Sequence, residues 1–234
     1  MSTTTVNKGI TNLQGTWELS NGVHMPYFGL GVWKAEDGKE VINAVKWALA
    51  AGYRHIDTAK AYDNEKGVGK AIKESGIPRE DIFLTSKLWN SDQGYEATLE
   101  AFEKTLSRLD TDYLDLYLIH WPVEGKYKDT WRALEKLYKD GKIKAIGVSN
   151  FLEHHLKDLM QDAEIKPMVD QLEFHPWLVQ KDLQKFCKEN GIQYEAWSPL
   201  MQGKAFKNET LKQLGENTVN LRLISSCVGI YKMV

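Results

Sequence analysis

Cysteine is scarce: Cys187 and Cys227 are the two thiols in 234 residues. They form no CxxC pair and no metal-ligand spacing, which excludes a disulfide scaffold and a zinc module. A cytoplasmic chain with inert thiols is the expectation. Excess charge of one sign is lacking too. Lys plus Arg is 30 and Asp plus Glu is 32, a net charge of −2. Nucleic-acid binders carry a basic surplus that displaces counterions, so no nucleic-acid partner is expected. No apolar run approaches the about 20 residues of a membrane span. Met1-Ser-Thr-Thr-Thr5 has no basic stretch leading into an apolar core, so neither a membrane partner nor a secretory leader is expected. Gly/Ser-rich and Pro-rich linkers are missing, which leaves residues 1–234 as a single domain. At 42% apolar and 26% charged residues, the composition is that of a folded chain, not a disordered one.

What is present is an alternation of short β-branched runs with stretches of helical period. Strands are predicted at Tyr27–Trp33, Arg54–Asp57, Ile82–Leu88, Tyr113–Ile119, Ala145–Ser149, Val169–Glu173 and Gln193–Trp197. Helices are predicted at Glu36–Ala51, Glu65–Glu74, Tyr95–Leu109, Asp129–Asp140, Glu153–Met160 and Lys181–Asn190. Leu99, Phe102, Leu106 and Leu109 fall at the spacing of one helix face. Gly52, Gly141 and Gly191 stand where helices end. Asn21-Gly22 between two short extended runs predicts an N-terminal β-hairpin. Strict βα alternation predicts a parallel sheet in the α/β class. A doubly wound nucleotide fold needs a G-x-G-x-x-G turn, and Gly29-Leu-Gly31 lacks the third glycine. Short, evenly spaced strands favour a (β/α)8 TIM barrel, here one βα unit short.

Polar residues gather at the C-terminal ends of those strands, the face where a barrel carries its active site. Asp57, Lys87, His120 and Ser149-Asn150 end strands, Tyr62 follows the second, Gln171 lies in the sixth and Ser198 follows the seventh. Four converging ionisable side chains suit one chemistry. A lysine ammonium favours the tyrosinate and lowers the tyrosine pKa, a carboxylate holds the lysine, and a histidine orients a carbonyl oxygen. Such a set protonates the oxyanion that forms as a carbonyl is reduced. It offers no activated nucleophile and no metal ligand set.

Six stretches then carry a resemblance: His55-Ile-Asp57-Thr-Ala59 with Tyr62 and Asn64-Glu65, Thr85-Ser-Lys87-Leu-Trp89-Asn90, Tyr117-Leu-Ile-His120-Trp-Pro122, Ile146-Gly-Val-Ser149-Asn150-Phe151, Gln171-Leu-Glu-Phe-His175-Pro176 and Ala196-Trp-Ser-Pro-Leu200. In this order they resemble the serial motifs of the aldo-keto reductases, over roughly Leu19 to Leu214. The likeness is to the branch of bacterial glyoxal/methylglyoxal and 2,5-diketo-gluconate reductases. It implies an aldo-keto reductase barrel, NADPH, and a small carbonyl substrate reduced to an alcohol by hydride transfer. It implies Tyr62 as proton donor, Asp57 and Lys87 as its tuning pair, and His120 as the residue that orients substrate. Ser149, Asn150 and Gln171 match positions that bind the nicotinamide carboxamide. Trp197 matches the aromatic that stacks on the nicotinamide ring, and Ser198 and Leu200 match a pyrophosphate loop. Gly31 and Val32 match further cofactor contacts. Trp33, Trp89 and Trp121 match the walls of the substrate pocket. The family default is a monomer.

Other residues have plainer readings. His175 is structural, Cys187 is inert core, and Trp17, Trp47, Trp131 and Trp177 belong to packing. Lys136–Lys144 is a solvated helix end. After Leu214 the resemblance stops. The family continues with an eighth strand ending in Pro-Lys-Ser, then Arg and Glu-Asn, and the lysine, serine and arginine of that stretch hold the cofactor 2′-phosphate. Residues 215–234 have no counterpart and read as a tail foreign to the family. Shifted by one codon position, the codons from Glu216 onward permit Lys-Tyr-Gly-Lys-Ser-Ala-Ala-His-Ile-Ile-Leu-Arg-Trp-Asp-Leu-Gln-Asn-Gly. That text fits the absent helix, so a frameshift near codon 215 is expected; the gene sequence tests it. The expected architecture is therefore a barrel truncated after its seventh strand. Its open edges invite self-association, and its cofactor site lacks the phosphate clamp.

Overall fold

The computed structural model describes residues 15–216. Cys227, the N-terminal Met1 stretch, the eighth strand, and the tail and frameshift expectations past residue 216 lie outside the described residues. An antiparallel hairpin comes first, β1 (Thr16–Glu18) with β2 (His24–Pro26). Gly22 turns it at φ 84°, as the Asn21-Gly22 pair predicts. Asn21 Nδ2 bonds the Lys144 carbonyl at 2.9 Å, and Leu19 and Met25 are buried.

Seven parallel strands follow in chain order: β3 (Leu30–Gly31), β4 (His55–Asp57), β5 (Phe83–Leu88), β6 (Leu114–Ile119), β7 (Ile143–Ser149), β8 (Val169–Glu173) and β9 (Gln193–Trp197). Each pairs with the next. Every residue of β5 and β6 is buried, as expected of parallel strands covered on both faces. Helices α1 (Lys39–Ala50), α2 (Glu65–Glu74), α3 (Tyr95–Leu109), α4 (Tyr127–Lys139), α5 (Glu153–Asp162) and α6 (Lys181–Glu189) form the outer layer, and α7 (Glu209–Glu216) follows β9. This is the nearly closed barrel with an N-terminal hairpin that the alternation predicts.

The helix faces follow their sequence period. In α3, Thr98, Phe102, Thr105, Leu106 and Leu109 are buried, and Leu99 is half-buried. Gly52, Gly141 and Gly191 all follow helix ends at positive φ.

Several boundaries differ from prediction. The first strand shrinks from Tyr27–Trp33 to Leu30–Gly31. It pairs with β4 alone among the described strands, and the Tyr27 amide bonds the Gly15 carbonyl instead. Helix α1 starts at Lys39, because Gly38 at φ 95° breaks the chain before it. Helix α4 begins two residues early at Tyr127, whose hydroxyl bonds Asp158. Helix α7 is new, and the sequence reading assigned no element there.

Packing explains Trp131, which is buried with its indole N–H on the Ile165 carbonyl at 2.9 Å, but not two other tryptophans. Trp47 is 71% exposed and Trp177 53% exposed. Trp47 stands off the inner row Val41, Val45 and Leu49 of α1, so the helix period turns it outward.

Candidate active site

The strand ends converge as predicted. Asp57 closes β4, Lys87 lies in β5, His120 follows β6, and Tyr62 ends a 3₁₀ turn, Lys60–Tyr62, just past β4. Lys87 is 1% exposed, so its ammonium must be paired. Its Nζ lies 2.5 Å from Asp57 Oδ1, 3.1 Å from the Thr58 carbonyl and 3.3 Å from the Tyr62 hydroxyl. Burial alone would strip its proton. The Asp57 charge, Tyr62 and the hydrogen bond to Asp57 outweigh that and raise the pKa above the usual lysine value.

Tyr62 departs from expectation. The Lys87 charge does pull its pKa down, but burial outweighs that pull, and the net direction is up. The phenol therefore holds its proton at neutral pH, as a donor must. His120 stands edge-on to both Tyr62, at 5.8 Å between ring centroids, and Trp89, at 5.1 Å. Burial and the Lys87 charge lower its pKa to about 3, so its imidazole is neutral. Its Nδ1 is buried without a hydrogen-bond partner among the described residues. Trp89 is half-buried, while Trp33 and Trp121 are 51% and 42% exposed.

Beside these four lies a hydrogen-bonded cradle. Ser149 Oγ donates to the Gln171 carbonyl at 2.9 Å, and Asn150 Nδ2 reaches the His120 carbonyl and Ser149 Oγ, both at 3.0 Å. The Trp197 indole N–H donates to Asn150 Oδ1 at 3.1 Å. Gln171 Nε2 is spent on Asp57 Oδ2 and Glu195 Oε2, both at 2.9 Å, which leaves its Oε1 to accept. A nicotinamide needs an acceptor for its amide N–H, a hydroxyl or amide for its carbonyl, and an aromatic face for its ring. Gln171 Oε1 supplies the acceptor and half-buried Trp197 the face, while Ser149 and Asn150, whose hydrogens are given to the Gln171 and His120 carbonyls and to Ser149 Oγ, supply a donor only by turning from those oxygens. Past β9 the backbone alternates hand, with Ser198 at φ 56°, Leu200 at −96° and Met201 at 52°. Pro199 has no N–H and the Met201 amide bonds the Ser198 carbonyl at 2.9 Å, so the Ser198 and Leu200 amides are what this stretch offers an anion. The residues present thus fit a reduced nicotinamide dinucleotide.

One predicted contact does not fit. Val32 is core, its amide bonded to the Asp57 carbonyl at 3.0 Å and its carbonyl to Asn64 Nδ2 at 2.9 Å. Both of its backbone groups are taken by structure. Gly31 beside it is exposed. His175 is structural as read: its Nδ1 accepts the Trp177 amide at 3.3 Å in the turn after β8. Cys187 is buried, and burial pushes its thiol to about 12. Lys136 is tied to Asp140 at 2.8 Å, and Lys139 to Glu164, as a solvated helix end should be.

The sequence reading missed Glu195. It lies inside β9 and faces Asp57. Burial, then the Asp57 charge, lifts its carboxyl from 4.5 to about 8. Its place two residues before Trp197, on the same face of the strand, was the available signal. His55, Asp57 and Glu195 bring ligand atoms within 4.8 Å of one another, a group of a size to hold a metal ion. Their donors are already engaged, His55 with Thr85 at 2.9 Å and the two carboxyls with Gln171, while the Lys87 ammonium supplies the positive charge.

The family model described as "Aldo/keto reductase family" matches residues 15–225. The glyoxal reductase of Bacillus subtilis (strain 168) is 66% identical over 206 residues, covering 88% of this chain and 75% of the relative. An aldo/keto reductase structure from Brucella melitensis superposes with TM-score 0.85 at 50% identity, over 89% of this chain and 81% of that one. A Bombyx mori aldo-keto reductase in complex with NADP superposes with TM-score 0.75 at 34% identity, over 80% and 67% of the two chains.

Proposed function

The chain belongs to the aldo/keto reductase family and is an oxidoreductase, and from that premise we propose that it reduces glyoxal, methylglyoxal and similar small aldehydes to alcohols with NADPH. The observation that carries this reading is the Tyr62 hydroxyl 3.3 Å from a buried Lys87 ammonium that is itself 2.5 Å from Asp57. When bound, the cofactor supplies a hydride to the carbonyl carbon. The protein does the rest. His120, neutral and beside Tyr62, orients the carbonyl oxygen toward the phenol. Tyr62 gives its proton to that oxygen as charge develops there. Lys87 steadies the tyrosinate left behind, and Asp57 holds Lys87 charged and in place. Ser149, Asn150 and Gln171 fix the nicotinamide amide, and Trp197 backs its ring. Trp33, Trp89 and Trp121 give a small, mostly apolar pocket that suits short carbonyl compounds. We read the chain as a monomer, with the edges of β3 and β9 as the places where copies would associate.

The test is direct. Purified chain with NADPH and methylglyoxal consumes nicotinamide absorbance, and Tyr62→Phe cuts kcat by about 10²- to 10⁴-fold. No consumption by folded parent protein sinks the reading. A second reading, that residues 215–234 supply no 2′-phosphate clamp, rests on their holding no Pro-Lys-Ser with a following arginine, while the family match runs on to residue 225. Dissociation constants then come out similar for NADPH and NADH. A strong NADPH preference rules that reading out.

A further inference from the structure

Gln171 and Glu195 are Cα partners in the β8–β9 ladder, so their side chains stand side by side on one face. The two hydrogens of the Gln171 amide have two carboxyl acceptors, Asp57 Oδ2 and Glu195 Oε2, each 2.9 Å from Nε2. A side-chain amide is nearly the same shape when flipped. Flipped here, its oxygen would face two carboxyl oxygens. The pair of acceptors therefore selects one orientation and turns Oε1 away from them. Asp57 Oδ2, which can only accept, selects this orientation, and Glu195 Oε2 takes the second amide hydrogen and steadies it.

We propose that Glu195 is a positioning residue: with Asp57 it takes both hydrogens of the Gln171 amide and so holds Oε1 toward the nicotinamide amide. This rests on the site being a nicotinamide site, as proposed above. The groups that face Glu195 are Gln171 from β8, His55 and Asp57 from β4, Lys87 from β5 and Tyr62 from the turn after β4. With its proton, Glu195 adds no charge to this set. Ionised, it raises the pKa of both Lys87 and Tyr62, so the phenol gives up its proton less readily.

Three proteins decide the matter: the parent, Glu195→Gln and Glu195→Leu. Glutamine keeps an oxygen acceptor for Gln171 and removes the titration. Leucine removes both. NADPH affinity is read by tryptophan fluorescence, turnover by nicotinamide absorbance from pH 6 to 9.5, and Gln171 side-chain hydrogen exchange by nitrogen-15 NMR without cofactor. Glu195→Leu should weaken NADPH about three- to tenfold, the worth of one hydrogen bond, and speed exchange at Gln171. Glu195→Gln should recover most of the affinity yet lose the fall in turnover expected of the parent above pH about 8. Parent-like affinity and slow exchange in Glu195→Leu overturn the positioning role. A persisting alkaline fall in Glu195→Gln overturns the proton assignment. If Glu195→Leu does not fold, Gln171 exchange in Glu195→Gln decides: it must stay slow. If the parent binds no NADPH, the functional reading fails, and Gln171 exchange alone still judges the positioning role.

Discussion

At the scale of single residues, His120 sets the sharpest expectation. Burial and Lys87 hold its pKa near 3, so it carries no charge anywhere in the physiological range. Turnover should therefore stay flat from about pH 5.5 to 7.5, where an ordinary histidine with pKa about 6.5 would change state. A pH–rate profile that steps near 6.5 would contradict the neutral role. Asp57, Tyr62, Lys87 and His120 were all legible beforehand, because polar residues at successive strand ends have few structural reasons to be there. Glu195 was not. It sits inside a strand, where one acidic residue among alternating neighbours reads as solvent-facing, and its partner Gln171 lies 24 residues away. The direction of the Tyr62 shift was also illegible, since sequence names the neighbouring charge but not the depth of burial that outweighs it.

At the scale of elements, α2 and α3 are joined by a buried ion pair. Glu65 opens α2 and is 2% exposed. It accepts from Arg108 Nε of α3 and from Ser86 Oγ of β5, both at 2.6 Å. Arg108→Met strands that carboxylate and should cost about 3–5 kcal/mol in urea unfolding. Lys73→Ala, which removes an exposed pair between α2 and Asp110 just past the end of α3, should leave the midpoint where it is. Equal shifts would mean that burial does not rank these pairs. Helices were the legible elements, because a buried stripe and a glycine stop are both local. Strand β3 was not, since its length is set by how many neighbours it has, and pairing is a property of the sheet rather than of the segment.

At the scale of the whole molecule, buried titratable groups set the response to pH. Burial lowers His55 to about 4 and His120 to about 3, while it lifts Glu195 to about 8 and Asp170 well above the carboxylate range. From about pH 7.5 upward these two histidines are neutral whether folded or not. The two carboxyls keep their protons only when folded, so stability falls as pH rises. Below 6.5 the unfolded histidines take up protons that the folded chain refuses, which offsets the trend. Melting temperature should thus be level from about pH 5 to 6.5 and decline toward 8.5, with a shallower decline in Glu195→Gln. An upward trend from 6.5 to 8.5 would refute this balance. The barrel itself was readable in outline because βα alternation is a whole-chain pattern that survives errors in any one boundary.

The strand order has a consequence in time as well as in space. Every strand from β3 to β9 pairs with its successor in the chain, so each pairing closes a short loop and none waits on a distant segment. A chain emerging from the ribosome from its N-terminal end can thus join Asp57 to Lys87 once β4 and β5 meet, well before Gln171 and Glu195 are synthesised. The half of the site proposed to move a proton thus precedes, along the chain, the half proposed to hold a dinucleotide.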